Sequence, residues 1–241
     1  MRRVLALLAT TALLLAGGCG GRSYDIRLDK TLERMRYEKR LKDNLMEAPK
    51  AKFEYFMIFV RPPKNLTGPT KEFQLSALEP GKFDLTESFF EKDKQSSLHV
   101  LARVKQPKVA SKKKAAAKPE PVTPRGDFSA DVVAVLNSVY GVELDLAKAK
   151  EEKKKEINVF KHMKFEGNGK VVQLYLNVVK GSSYEVALIF EYPKSEEANL
   201  VSKIELCLES FATGDRARKA FSGTGTEEEG DAVAAPPPTA F

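Results

Sequence analysis

The sequence predicts an α/β chain of the α+β kind, an antiparallel β-sheet flanked by helices. Three observations carry that prediction. Val172, Leu174, Leu176 and Val178 alternate along one stretch, and Tyr184, Val186, Leu188, Phe190 and Tyr192 along the next. Such alternation of branched, aliphatic and aromatic side chains marks half-buried antiparallel strands. Gly181-Ser182-Ser183 between them permits a hairpin turn. Beyond Pro193, Leu200, Ile204, Cys207, Leu208 and Phe211 recur at helical spacing; Ser195 reads as the N-cap, Glu196 and Glu197 suit the first turn, and Gly214 reads as the stop. The unit reads as an apolar sheet face with an amphipathic helix to cover it.

Both ends of the chain differ from this middle. The sequence divides into a signal peptide (1–18), an anchor and helical spacer (19–48), a single α/β domain (49–221) and a disordered acidic tail (222–241), with a Lys/Ala/Pro-rich insertion at 105–126. Fourteen Phe and seven Tyr supply the bulk for one core. The formal charge is +7, falling to about +5 if Arg2 and Arg3 leave with the leader, a balance that permits anionic partners and selects none. Cys19 and Cys207 are the two cysteines, so no disulfide framework is available.

At the N-terminus, Arg2 and Arg3 precede an apolar run from Val4 to Leu15, too short to span a bilayer comfortably. Ala16, Gly17 and Gly18 then lead into Cys19. This order resembles the lipobox of bacterial lipoproteins, with Ala16 where leucine is usual and Leu15 one step earlier. The resemblance implies that Cys19 is acylated and becomes the mature N-terminus. Several acyl chains on one residue anchor stably, at about 0.8 kcal/mol per buried CH₂. Gly20 after the cysteine, in place of aspartate, resembles lipoproteins passed to an outer membrane. The implied location is the cell envelope, on the periplasm-facing side of the outer membrane in preference to the inner membrane.

Tyr24 to Glu47 has neither Pro nor Gly and reads as a helix. Leu28, Leu32 and Met35 make one apolar stripe, and Tyr37, Leu41 and Leu45 continue it with a shift, among alternating charges. A spacer, a helix lying along a membrane and a short coiled coil are all open, the spacer being favoured. Phe53 to Val60 is apolar on both faces and reads as a central strand. Phe73, Leu75, Ala77 and Leu78 form a weaker element, and aromatics between Phe83 and Phe90 are expected to pack over a sheet edge. Leu98, Val100, Ala102 and Val104 alternate as another strand.

The insertion is built from Lys, Ala and Pro and cannot bury a core; its seven positive charges face only Glu120. Lys108, Lys112, Lys113, Lys114 and Lys118 could touch an anionic lipid or cell-wall polymer, or form a solvated loop. No aromatics interleave, so nucleic acid is not an expected partner. Ser129 then reads as an N-cap for a helix carrying Val132, Val135, Leu136 and Val139 up to Gly141. Lys148 to Glu156 reads as a surface excursion. Ile157, Val159, Met163 and Phe165 alternate, and Gly167-Asn168-Gly169 signals a hairpin back to the first strand described, completing a three-stranded meander.

A helix at 129–140 followed by a meander and a closing helix ending in Ser210-Phe211 resembles the Mog1/PsbP-like fold, an antiparallel sheet between helices. The resemblance covers 157–211 and the helix before it, and the lysine-rich insertion departs from the compact family pattern. It implies a binding or accessory module more than an enzyme, and names no single function.

Chemistry is sparse. His99 lies on the polar face of its strand and His162 between Lys161 and Met163, both without Asp, Glu or Cys at ligand spacing, so both are expected to be exposed. Cys207 falls on an apolar helix stripe, where a buried inert thiol is expected. Gly167 and Gly169 lead into a strand and make no phosphate loop. No catalytic, metal or cofactor residues are assigned. The expected function is that of a lipid-anchored, non-catalytic module holding another envelope component, through the sheet–helix domain or through the basic insertion. A hydrolase with a site assembled from distant residues is the remaining alternative.

Overall fold

The computed structural model describes residues 21–70, 75–76, 78–93, 95–105, 125–155 and 157–223. The leader, Cys19, residues 106–124 of the insertion with Lys108, Lys112, Lys113, Lys114 and Lys118, and residues 224–241 of the tail lie outside them.

The described residues up to Asn44 and those from Leu45 onward form separate units. In the first, helix α1 runs Gly21–Asn44. It stops short of Glu47 because Leu45 makes an antiparallel bridge to Pro63 and the Met46 amide donates to Pro62 O at 2.9 Å. Along α1, Arg34 and Glu38 pair one turn apart at 3.9 Å, and the Arg40 guanidinium lies 5.6 Å from the Tyr37 ring centre.

The second unit begins with a correction. Phe53 to Val60 is no central strand: it forms one helical turn, α2 (Lys52–Tyr55), then a two-residue strand, β1 (Ile58–Phe59). Ala51 and Met57 take φ of 57° and 53°, which interrupts an extended run on both sides of α2. Phe53, Ile58 and Val60 of the segment are buried, while Glu54 and Tyr55 face water. Next come β2 (Thr67–Thr70), β3 (Leu85–Glu91) and β4 (Ser96–Val104). Of the aromatics expected over a sheet edge, Phe89 and Phe90 belong to a strand of the sheet itself, with Phe89 fully buried, and Phe83 packs on Phe128 before that strand begins.

Helix α3 (Phe128–Tyr140) is capped by Asp127, whose carboxylate accepts from the Ala130 amide at 2.8 Å, so the cap lies two residues before Ser129. Gly141 closes it at φ 65°, as its position predicted. The charged run after it is no excursion but an edge strand, β5 (Lys150–Lys154). Charged side chains on an edge discourage pairing with other chains. Then follow β6 (Asn158–Gly167), β7 (Lys170–Val178) and β8 (Tyr184–Tyr192), so the meander has four strands rather than three. Asn168 and Gly169 at φ 52° and 75° make the tight turn that their sequence signals.

Helix α4 (Glu197–Ser210) follows a short 3-10 turn at Lys194–Glu196 that absorbs Ser195, leaving no side-chain cap. Gly214 does not stop that helix. It follows β9 (Ala212–Thr213), which pairs with β1, and leads into a last helix, α5 (Asp215–Ser222).

The main sheet is antiparallel throughout, in the order β2-β3-β4-β8-β7-β6-β5. Its register corrects the picture of one apolar face. Leu174 pairs with Ile189, so Val172, Leu174 and Leu176 share a face with Ala187 and Ile189, while Val186, Leu188 and Phe190 point the other way. Each face has its own helix. On the first, Phe128, Val132, Val135 and Leu136 of α3 pack with Leu101, Val172, Leu174 and Ile189. On the second, the Phe160 ring lies 5.4 Å from Phe211, and the Asn158 side chain donates to the carbonyls of Leu208 and Phe211 at the end of α4. The chain is thus a mixed α+β structure with an antiparallel sheet between helices.

Candidate functional site

Strands covered on both faces leave little room for polar side chains, yet β4 and β8 carry several. On the face under α3, Arg103 is 3% exposed and donates to Asp131 at 2.6 Å, Gly126 O at 2.7 Å and Lys82 O. Burial alone would raise the Asp131 pKa; the hydrogen bonds from Arg103 and Lys82 outweigh it and hold the carboxyl below its ordinary value.

His99 is on the same face, 5% exposed, which overturns the expectation of an exposed histidine. Ser88 Oγ lies 2.8 Å from its Nδ1, while Glu191 Oε1 at 2.9 Å and Ser97 Oγ at 3.2 Å flank Nε2. The Tyr140 hydroxyl donates to the same Glu191 oxygen, and Lys170 Nζ stands 3.6 Å from the other. Burial pushes the Tyr140 hydroxyl pKa up, helped by the Glu191 charge. For Glu191 burial pushes upward too, but the bonds from His99 and Tyr140 win and hold it low. A serine, a histidine and a carboxylate stand in line, as in a nucleophilic triad. A nucleophile also needs space beside it for a reacting carbonyl. Ser88 is 3% exposed within the sheet, so the arrangement works as a sealed polar bolt between β3, β4, β8 and α3.

The opposite face opens between β5, β6 and α4 into a cleft of about 430 Å³, bounded by Glu152, Lys154, His162, Lys164, Gln173, Tyr175, Glu197 and Glu205. Here His162 is half-buried, again contrary to expectation. Its ring stacks on Tyr175 at 4.3 Å with a 5° tilt, and Nδ1 sits 2.7 Å from Glu152 Oε1. Burial lowers its pKa, assisted by Lys154 and opposed by Glu152 and Gln173. The neutral ring carries its proton on Nδ1, because a carboxylate only accepts. Nε2 is then a basic electron pair, but that atom is buried and makes no hydrogen bond of good geometry, although Gln173 lies close enough to favour protonation. Gln173 is itself held by Tyr175, whose hydroxyl donates to it, and by the Tyr192 hydroxyl.

Charge in the cleft is balanced. Lys154 stands 3.5 Å from Glu152 and 3.8 Å from Glu205, and Lys164 pairs with Glu197. The lining offers a ligand polar contacts without a dominant sign. Among the described residues, no group of three or more His, Cys, Asp or Glu is placed to hold a metal ion. Cys207 is buried, as its place on the helix predicted, and burial pushes its thiol up to about 12, leaving it protonated and inert. Cys19 and the lysines singled out in the insertion lie outside the described residues. Among those described, no helix is long and apolar enough to cross a membrane.

No family model matches the sequence, and no curated protein is significantly similar to it. Among solved structures, the chain is similar to cyanobacterial PsbP from Synechocystis, at 11% identity and a TM-score of 0.43, over 71% of this chain and 93% of that one. It is also similar to the Ran-binding protein Mog1p of Saccharomyces cerevisiae, at 10% identity and a TM-score of 0.36, over 70% of this chain and 96% of that one. These are the two groups that the sequence resemblance named.

Proposed function

We propose that this protein is a lipid-anchored, non-catalytic module that holds another component of the cell envelope, its folded unit tethered through acylated Cys19. The observation that carries the non-catalytic part is the use the fold makes of its reactive side chains. Both ring nitrogens of His99 are engaged in a sealed network, His162 keeps Nε2 inside the cleft wall, and Cys207 is a buried protonated thiol. Groups spent on holding strands and helices together are not free to move protons on a substrate. The anchor rests on the lipobox-like order of residues around Cys19.

The test is to crosslink the acylated full chain in its native envelope and identify what is captured. One protein recovered at near-equal amount, and still recovered when Lys112, Lys113 and Lys114 are changed to Glu, supports a partner held by the sheet–helix unit. Loss of all capture in that charge-reversed variant transfers the role to the basic insertion and an anionic polymer or lipid.

A further inference from the structure

The first half of helix α1 keeps its large apolar side chains in water, whereas Leu41 in the second half is buried. Tyr24, Ile26, Leu28, Leu32 and Met35 are between 39% and 64% exposed, and among the described residues they are five of the eight large hydrophobic side chains that are exposed. Scattered surface leucines need no explanation, but five within twelve residues do. At 3.6 residues per turn, Tyr24, Leu28, Leu32 and Met35 fall on one side. Lys39 and Lys42 continue the same line toward the C-terminal end, and Ile26 lies across the helix from it in the second turn.

We propose that this stripe seats in the headgroup–acyl boundary of the bilayer that holds Cys19, so that the first half of α1 lies along the membrane instead of standing off it as a stalk. The inference rests on the anchor reading above. Two observations favour a lipid surface as the occupant. Tyr24 is five residues from Cys19, a reach of at most about 17 Å even for a fully extended chain, so an acylated Cys19 holds the start of the stripe at the interface. The helix also carries eight Lys or Arg against five Asp or Glu, a surplus that suits anionic headgroups. A second copy is the weaker fit. Four side chains along about 17 Å of helix fall far short of the ~1,200 Å² that stable protein interfaces bury. Ile26 in the second turn is explained as well, because the end nearest the anchor is immersed on both sides.

The chain contains no Trp, so one introduced indole reports without background. The acylated full chain is prepared as Leu28→Trp and, across the helix, as Glu33→Trp, each reconstituted in vesicles of phosphatidylcholine and phosphatidylglycerol with brominated acyl chains. The expected result is blue-shifted, strongly quenched emission at position 28 and water-like, unquenched emission at position 33. Water-like emission at both positions, with acyl chains on Cys19 confirmed by mass spectrometry, overturns the seat and leaves the anchor standing. A blue shift at 28 without quenching, accompanied by a crosslinked dimer, overturns it in favour of a second copy. Absence of acyl chains on Cys19 removes the anchor reading, and the seat falls with it.

Discussion

The two faces of the central sheet are covered by helices of similar length, yet they use polar side chains in opposite ways. Under α3, charge is driven inward and closed off: Arg103 with Asp131, and His99 with Glu191 and Tyr140, have their partners already in place. Under α4, aromatic rings fill the interior, with Phe160 6.1 Å from Tyr175 and Tyr175 6.0 Å from Phe190, and charge gathers at the rim of an open cleft. Paired charges in a closed interior fix which strands and helix belong together. Paired charges around an opening keep a surface polar and reachable. The first face is therefore where the fold is most sensitive to change, and the second is where contact with other molecules is open.

The sharpest way to break this contrast is Glu191→Ala, which strands His99 and Tyr140 in the interior. Removing one member of a buried pair costs about 3–5 kcal/mol, so urea unfolding should shift by that much. A loss under about 1 kcal/mol would mean that the first face is held by packing alone. Gly167→Ala tests the same helix from outside: a Cβ there would lie 2.8 Å from Tyr140 Cδ1. Overpacking of that kind costs about 1–3 kcal/mol, and a thermal melt should fall accordingly.

Acid should act on both faces with the same sign. Glu191, Asp131 and His162 all have pKa values lowered by folding, so the unfolded chain takes up protons more readily. Their contribution is complete above the ordinary histidine value of 6.5, begins to fall as pH drops past it, and falls further through the carboxylate range. Melting temperatures that stay level from neutral to mildly acid pH would contradict this. The smallest effect is reserved for the cleft. Glu152→Gln should cost only about 1 kcal/mol, because the pair is partly open to water. It should lower the His162 pKa further, read by NMR titration of the ring, since Glu152 is the main group that favours the protonated form.

Strand periodicity, hairpin turns and the α3 stop are legible in the sequence because each depends on neighbours a few residues apart. The Asn168-Gly169 turn and the alternation of β7 and β8 are of that kind. What escapes is anything decided across strands. Pattern reading sends polar residues to water, so His99 reads as surface, although β4 is buried on both sides. The facing of β7 against β8 depends on register, which alternation within one strand does not contain. Ile157 reads as inward and is 61% exposed, whereas Met163 and Phe165 of the same alternation do pack against the core under α3, and Asn158 and Phe160 are buried on the other face. The cleft was not legible, since Glu152 and His162 meet only when β5 pairs with β6. A Lys/Glu-rich run beside a hairpin strand was the available sign that β5 is a sheet edge.

The order of the strands also has a consequence in time. Hairpins β3–β4 and β5 through β8 join neighbours in the chain, but β4 meets β8 across a long excursion, and His99 and Glu191 are 92 residues apart. Local pairings close quickly and this seam closes late, because the entropy of a long loop must be met before its contacts form. The bolt between His99 and Glu191 therefore locks a structure already assembled in two parts, and its loss acts mainly on how fast the chain comes open. The basic insertion lies within that same excursion. Lengthening a loop already this long adds only about 0.6 kcal/mol per doubling, so the segment can vary in length with little effect on the sheet it interrupts.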